Sequence, residues 1–191
     1  MTIPPWIEVQ LAIGGALKLA RGDRRGLGFF DYSLEGFWRS FRAAAICFPF
    51  YLALLSFRMA APQWAQFGIA DILVVETIAY VISWVAFPLV VLPVTRWLDR
   101  ESRFLVFMVV YNWCQVPQTV LFFMIGIDGA TGLVPRDIVQ FADLIATAAV
   151  LLYEWYIARV TLSLPGAFAV LIVLIDLVLG TALSRLAEAL Y

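Results

Sequence analysis

Residues 69–94 read IADILVVETIAYVISWVAFPLVVLPV, and this stretch decides the fold class of the chain. Its only charged side chains are Asp71 and Glu76. Because roughly 20 helical residues cross the hydrocarbon core of a bilayer, the stretch predicts a membrane-spanning helix. Four further apolar stretches lie at about 41–57, 104–127, 138–158 and 166–184. We therefore predict an all-α, polytopic integral membrane protein, with five transmembrane helices in residues 37–191 and an N-terminal interfacial amphipathic helix in residues 1–36.

The composition is typical of a chain that lies almost wholly within a membrane. Hydrophobic residues make up 63% and charged residues 14%, and the mean hydropathy is +0.91. A soluble domain carries about a quarter charged residues, so a water-soluble fold is excluded. The basic residues form no cluster of the kind that binds nucleic acid. The N-terminus lacks the pattern of a cleaved signal peptide, so the first apolar stretch is expected to serve as an uncleaved anchor.

The chain has few of the residues that metal, redox and nucleophilic chemistry require. It contains no histidine, which removes the imidazole of zinc and Ser-His sites. Cys47 and Cys114 both lie in apolar stretches, where a thiol is inert. The Gly-rich residues 21–28 lack the Gly-Lys-Ser/Thr ending of a phosphate-binding loop. We expect no catalytic residue, no metal and no cofactor, and hence a protein that is not an enzyme.

The basic residues are distributed unevenly over the connections between the apolar stretches. Ten of the 13 Lys and Arg residues lie in the N-terminal segment and in the second and fourth connections. The other side receives Arg58, Arg136 and Arg185. Since cytoplasmic flanks are enriched in Lys and Arg, the pattern predicts an inner (plasma) membrane protein with a cytoplasmic N-terminus and a C-terminus outside.

Residues 1–36 combine apolar positions with a charged turn. The apolar residues are compatible with one amphipathic helix face, which predicts a helix at the membrane surface. The basic residues that would meet anionic lipid headgroups are Lys18, Arg21, Arg24, Arg25, Arg39 and Arg42. The alternative is a helix packed on the cytoplasmic side of the bundle. Asp31 or Ser33 is the predicted N-cap of the first membrane helix.

Polar residues inside the apolar stretches are the sharpest functional clue, because their insertion is costly unless a partner or water compensates. Residues three, four and seven apart share one face of a helix, and four of the five helices each carry such a polar stripe. We expect the stripes to meet in one acidic layer in the outer half of the bundle. The predicted cluster comprises Glu76, Tyr80, Asn112, Gln115, Gln118, Thr119, Asp143, Thr147 and Asp176. Glu154 is expected near the cytoplasmic interface, where Arg159 and water satisfy it.

Two interpretations of this cluster remain open. In the first, the polar groups form a site for a proton, a cation or a polar substrate, with Pro117 freeing backbone carbonyls in the third helix. In the second, they form interhelical hydrogen bonds, each worth about a kcal/mol or less.

Several segments carry a family resemblance. They are the third-helix segment Tyr111-Asn-Trp-Cys-Gln-Val-Pro117 and the stretch from Trp155 through Leu164 to Asp176. With its N-terminal segment followed by five closely spaced helices, the chain resembles the Yip1-like family, particularly its bacterial members. Residues 26–31 and 35–41 also look like those of small alphaproteobacterial membrane proteins. The resemblance implies a non-enzymatic five-helix bundle that organises membrane or protein partners.

Two functional hypotheses follow. The first is a non-enzymatic scaffold or accessory subunit of a membrane complex, with other membrane subunits, a second copy or lipid as its partners. The second is a small transporter or channel component that uses the acidic intramembrane cluster for protons, cations or a polar solute. Five helices are few for a transporter core, so the second hypothesis favours an oligomer. A membrane-embedded enzyme that uses acids alone is a third possibility.

Overall fold

The computed structural model of the chain describes residues 5–58 and 68–190. Residues 1–4 of the predicted interfacial segment, residues 59–67 and Tyr191 lie outside the described residues. Within the described ranges the regular elements are all helical, with no β-strand. The α-helices are α1 (Pro5–Ala20), α2 (Leu34–Ser40), α3 (Arg42–Arg58), α4 (Ile69–Trp97), α5 (Phe104–Thr131), α6 (Arg136–Thr161) and α7 (Gly166–Glu188). Short 3-10 helices cover Arg24–Phe29 and Glu101–Arg103.

Five helical spans in the described residues are long and apolar enough to cross a membrane, which confirms this part of the predicted fold. Their lengths run from 23 to 31 residues, against the roughly 20 that a bilayer core requires. The spans are Leu34–Phe57, Ile69–Trp97, Glu101–Thr131, Arg136–Thr161 and Gly166–Glu188.

The first span begins at Leu34, earlier than the apolar stretch that starts near residue 41, because Ser33 caps it. The Oγ of Ser33 accepts a hydrogen bond from the backbone N–H of Gly36 at 3.0 Å. The backbone N–H of Ser33 donates to Oδ1 of Asp31 at 2.9 Å. Hydrogen bonding to Ser33, with a further contribution from the charge of Arg39, lowers the pKa of Asp31 below its usual value.

Helix α5 lies at the centre of the bundle. In the most apolar 18-residue segment of its span, half of the residues are buried. The corresponding share is 11% for α4 and for α6. Helices α3, α6, α1 and α2 pack directly on it. Helix α7 packs against both α6 and α4. Helices α3, α4, α6 and α7 thus surround a common cavity with one face of α5, and α1 also packs on α5.

Helix α1 is packed into the bundle through small residues. Ala12 and Ala16 are buried, and the 3-10 helix folds back so closely that a Cβ at Gly26 would lie 2.5 Å from the carbonyl oxygen of Gly15. The hydroxyl of Tyr153 in α6 donates to the carbonyl of Ala16 at 2.6 Å. Small side chains allow this close approach of backbones. The structure therefore places α1 against α5 and α6, and its contact with a lipid surface stays a prediction.

Candidate functional site

A cavity of about 340 Å³ lies between α3, α4, α5, α6 and α7. Aromatic side chains from three helices form much of its wall, among them Trp84, Phe87 and Phe122. The polar residues that line it are Tyr51, Tyr80, Ser83, Tyr111, Asn112, Gln115, Gln118, Thr119, Glu154 and Asp176. The lining residues that the structure describes include no Lys or Arg. The cavity therefore places acidic groups within a largely apolar wall, and no described lining residue carries a positive charge.

Glu154 of α6 and Asp176 of α7 come together at one end of this cavity. Both line a narrow space beside Tyr111 and Phe107. Glu154 is 8% exposed. The hydroxyl of Tyr111 donates to Oδ1 of Asp176 at 2.7 Å. Two neighbouring carboxylates in an apolar surrounding repel each other, so a shared proton or a bound cation stabilises the pair.

The register of α6 and α7 follows from the short connection between them. The indole N–H of Trp155 donates to the carbonyl of Gly166 at 2.9 Å, across the four residues 162–165 that join the helices. The guanidinium of Arg159 lies over the ring of Trp155, with its Cζ 5.2 Å from the ring centroid. This tight turn fixes how far each helix extends past the other, and so brings Glu154 next to Asp176.

The inner face of α5 supplies amides to the cavity. The side-chain N–H of Asn112 donates to Oγ of Ser40 at 2.8 Å, which ties α5 to the end of α2. Gln118 is 6% exposed, and its Nε2 has no hydrogen-bond partner among the described residues. A buried donor without a partner costs about 1–3 kcal/mol. Because Gln118 also lines the cavity, a molecule bound there is a candidate acceptor for this donor.

The wall between α3 and α4 is built from tyrosines. The rings of Tyr51 and Tyr80 lie 4.8 Å apart. The hydroxyl of Tyr80 donates to the carbonyl of Ala44 at 2.7 Å. The hydroxyl of Tyr51 donates to the carboxylate of Glu76. Glu76 is therefore held behind the tyrosine wall, outside the lining of the cavity.

The structure brings six of the predicted cluster residues into one cavity: Tyr80, Asn112, Gln115, Gln118, Thr119 and Asp176. Thr147 is not among the residues that line it. Two of the three acids of the expected layer do not line this cavity. Glu76 is held beside Tyr51, and Asp143 is exposed and lines a second cavity of about 830 Å³, together with Arg136. Asp143 and Glu154 share a face of α6 but lie three helical turns apart, about 16 Å along the axis. The acid that reaches Asp176 is thus Glu154.

Four polar residues of the cavity lining were not in the cluster predicted from the sequence: Tyr51, Ser83, Tyr111 and Glu154. Glu154 was expected at the interface beside Arg159, but its side chain turns inward and is buried. Its spacing of 11 residues from Asp143 was the available signal, since it places both acids on one helix face. For Tyr111, the available signal was its spacing. It lies four residues before Gln115 and seven before Gln118, and this spacing places all three on one helix face.

The predicted basic surface separates into two groups. Arg21, Arg24 and Arg25 are exposed near the turn after α1. Lys18 lies over the ring of Phe29, with Nζ 4.1 Å from the centroid. Arg39 and Arg42 are engaged by acidic side chains. Nε of Arg39 lies 3.0 Å and Nη1 of Arg42 lies 3.2 Å from the carboxylate oxygens of Glu8.

The described part of the site can stabilise a positive charge at the Glu154–Asp176 pair and donate a hydrogen bond from Gln118. No protein-family model, curated protein or solved structure matches this chain.

Proposed function

We propose that the chain spans the inner (plasma) membrane with five helices, its N-terminus in the cytoplasm and its C-terminus outside. The five long apolar spans support insertion. The excess of Lys and Arg on the N-terminal side supports the orientation.

Within that membrane the chain acts as a small transporter or channel component for a cation, a proton or a small polar solute. The observation that carries this proposal is the placement of Glu154 and Asp176 together in a largely apolar cavity whose described lining holds no basic side chain. Ionisable groups at membrane depth are costly and mark ion or substrate pathways. A cation that enters the cavity offsets this cost, because it neutralises two carboxylates that would otherwise repel each other.

Flux through liposomes tests this proposal. The full chain is reconstituted, a potassium diffusion potential with a negative interior is imposed, and the entry of protons, labelled guanidinium and labelled glycerol is measured. We expect at least one of these solutes to enter faster than it enters protein-free liposomes. Replacing Glu154 by Gln together with Asp176 by Asn should lower that flux at least about tenfold, because the charge-assisted interactions with the solute are lost.

Asp143→Asn is the matched control for this experiment. Asp143 is also an acid on α6, but it is exposed and lines the second cavity, so its replacement should leave the flux unchanged. Rates no greater than those of protein-free liposomes for all three solutes would contradict the proposal. So would a flux that the double replacement leaves unchanged.

Asp143 favours a second candidate function, that of a non-enzymatic scaffold or accessory subunit. Its side chain is exposed on α6, about 10 Å along the helix from Arg136, among exposed apolar residues such as Phe141 and Leu144. An exposed carboxylate at that depth in a membrane is costly. A second copy of the chain or another membrane subunit would cover it, and the resemblance to the Yip1-like family supports such an organising role.

Native mass spectrometry of the chain, extracted from its own membrane in a mild detergent, tests the second candidate. We expect the chain to travel with a stoichiometric partner or a second copy. Cross-linking from a cysteine introduced at Leu144 should capture that partner, whereas one at Leu89, exposed on α4, should not. A purely monomeric protein with no cross-link at Leu144 would rule out this function.

A further inference from the structure

We propose that the cavity binds an organic ammonium ion that also carries a hydroxyl or carbonyl oxygen, with its nitrogen at Glu154 and Asp176 and its oxygen at Gln118. This inference rests on the proposed solute-binding function and names the chemical class of the solute. Three features of the described cavity carry it: the carboxyl pair, the unpartnered amide and the aromatic wall.

The acidic end suits an ammonium group better than a metal ion. Divalent cations such as Ca²⁺ take six to eight oxygen ligands, whereas this end offers two carboxylates, one of which already accepts a hydrogen bond from Tyr111. Across the described residues there is no group of three or more Asp, Glu or Cys side chains that could hold a metal. An ammonium group donates hydrogen bonds to both carboxylates and interacts favourably with aromatic faces such as those of Trp84 and Phe87, which line the cavity.

The other end of the cavity requires an acceptor. Nε2 of Gln118 is a hydrogen-bond donor, it is buried, and no described residue accepts from it. Only an oxygen or another acceptor on the bound molecule, or on water, can satisfy it. A purely hydrocarbon ammonium ion would leave this donor unpaired.

The distance between the two ends limits the length of the molecule. Tyr111, which marks the acid pair, and Gln118 are seven residues apart on one face of α5, or about 10 Å along the axis. Two hydrogen bonds of about 3 Å each, with roughly 6 Å between the nitrogen and the oxygen of an extended four-carbon amino alcohol, span a distance of this order. A cavity of about 340 Å³ lies within the size range of small-molecule sites. A short amino alcohol meets both limits.

The probe is 4-amino-1-butanol, compared with butylamine, which lacks the oxygen, and 1,4-butanediol, which lacks the charge. Binding to the full chain in lipid nanodiscs is measured by titration calorimetry at neutral pH, with the heats of empty nanodiscs subtracted. We expect the amino alcohol to bind about fivefold more tightly than butylamine, because one additional hydrogen bond contributes about that factor to the affinity. The diol should show no saturable binding.

Two variants assign the two ends of the ligand. Gln118→Leu should abolish the preference for the amino alcohol over butylamine while both amines still bind. Asp176→Asn should weaken both amines at least about tenfold. Gln140→Leu, a matched replacement of an exposed glutamine in the second cavity, should change neither property.

The comparison of the three compounds on the unaltered chain does not depend on the folding of a variant. Equal affinity of the amino alcohol and butylamine would overturn the inference, as would a diol that binds as tightly as either amine. A flux of protons or guanidinium that depends on Asp176, without amino alcohol binding, would overturn this ligand class and leave the proposed function standing. Binding of the amino alcohol that depends on Gln118, without flux of any solute, would support the ligand class and overturn the proposed transport function.

Discussion

Replacing Trp113 by alanine is expected to lower the free energy of unfolding by about 3 kcal/mol. Trp113 is 2% exposed and belongs to the core in which α5 packs against α1. In a soluble protein, this replacement would also remove the free energy gained by transferring the indole from water to the core. In a membrane that contribution is smaller, because lipid tails are as apolar as the protein interior. The cost comes mainly from the van der Waals contacts that the indole makes and from the cavity that its removal leaves.

Unfolding of the full chain in mixed detergent micelles, followed by circular dichroism, measures this change. Trp97→Ala is the control, because the same side chain at that position is 70% exposed at the end of α4. It should alter the free energy of unfolding by less than about 0.5 kcal/mol. Equal effects of the two replacements would contradict the tight packing of Trp113 against its neighbours.

Replacing Arg39 by methionine is expected to release α1 from the bundle and to lower the free energy of unfolding by about 2 kcal/mol. Arg39 pairs with Glu8, Asp31 and Glu35, and it is the only side chain in the described network that joins all three acids. The Glu8 side chain is 17% exposed, so the loss of its partner leaves a largely buried carboxylate with Arg42 alone. The expected cost therefore lies between those of exposed and of fully buried ion pairs.

Amide hydrogen exchange, measured by mass spectrometry, locates this effect. Exchange in α1 should accelerate strongly in Arg39→Met, while exchange in α5 should change little, because α1 opens locally before the bundle unfolds. Arg25→Met is the control, since the Arg25 side chain is 89% exposed and pairs only with its neighbour Asp23 in the described structure. If exchange in α1 stays slow without Arg39, the ion pairs do not hold this helix.

Much of the fold could be predicted from particular residues because it depends on local chemistry. The apolar stretches are long enough to cross a bilayer, and Ser33 and Gly132 mark helix ends by capping and by a left-handed backbone with φ of 67°. The amides of α5 were also expected to face inward, since a helix in lipid places its polar stripe against other helices. Asn112, Gln115 and Gln118 do line the cavity.

The choice of partners could not be predicted in the same way. Helical periodicity places Asp143 and Glu154 on one face of α6. It does not determine which of them lies at the same height along the bundle axis as Asp176 on α7. That level depends on the four-residue turn and on the hydrogen bond from Trp155 to Gly166. Likewise, no spacing rule joins Glu8 to Arg39, 31 residues later in the chain.

The sequence by itself determined an all-helical chain with five spans long and apolar enough for a membrane, and a polar face on four of these helices. Only the tertiary structure decided that Glu154 meets Asp176, that Glu76 is held behind Tyr51, and that Nε2 of Gln118 has no acceptor among the described residues. The physical reason is that hydropathy and periodicity act within one helix. The axial offset between neighbouring helices is set by turns and by contacts between residues far apart in the chain.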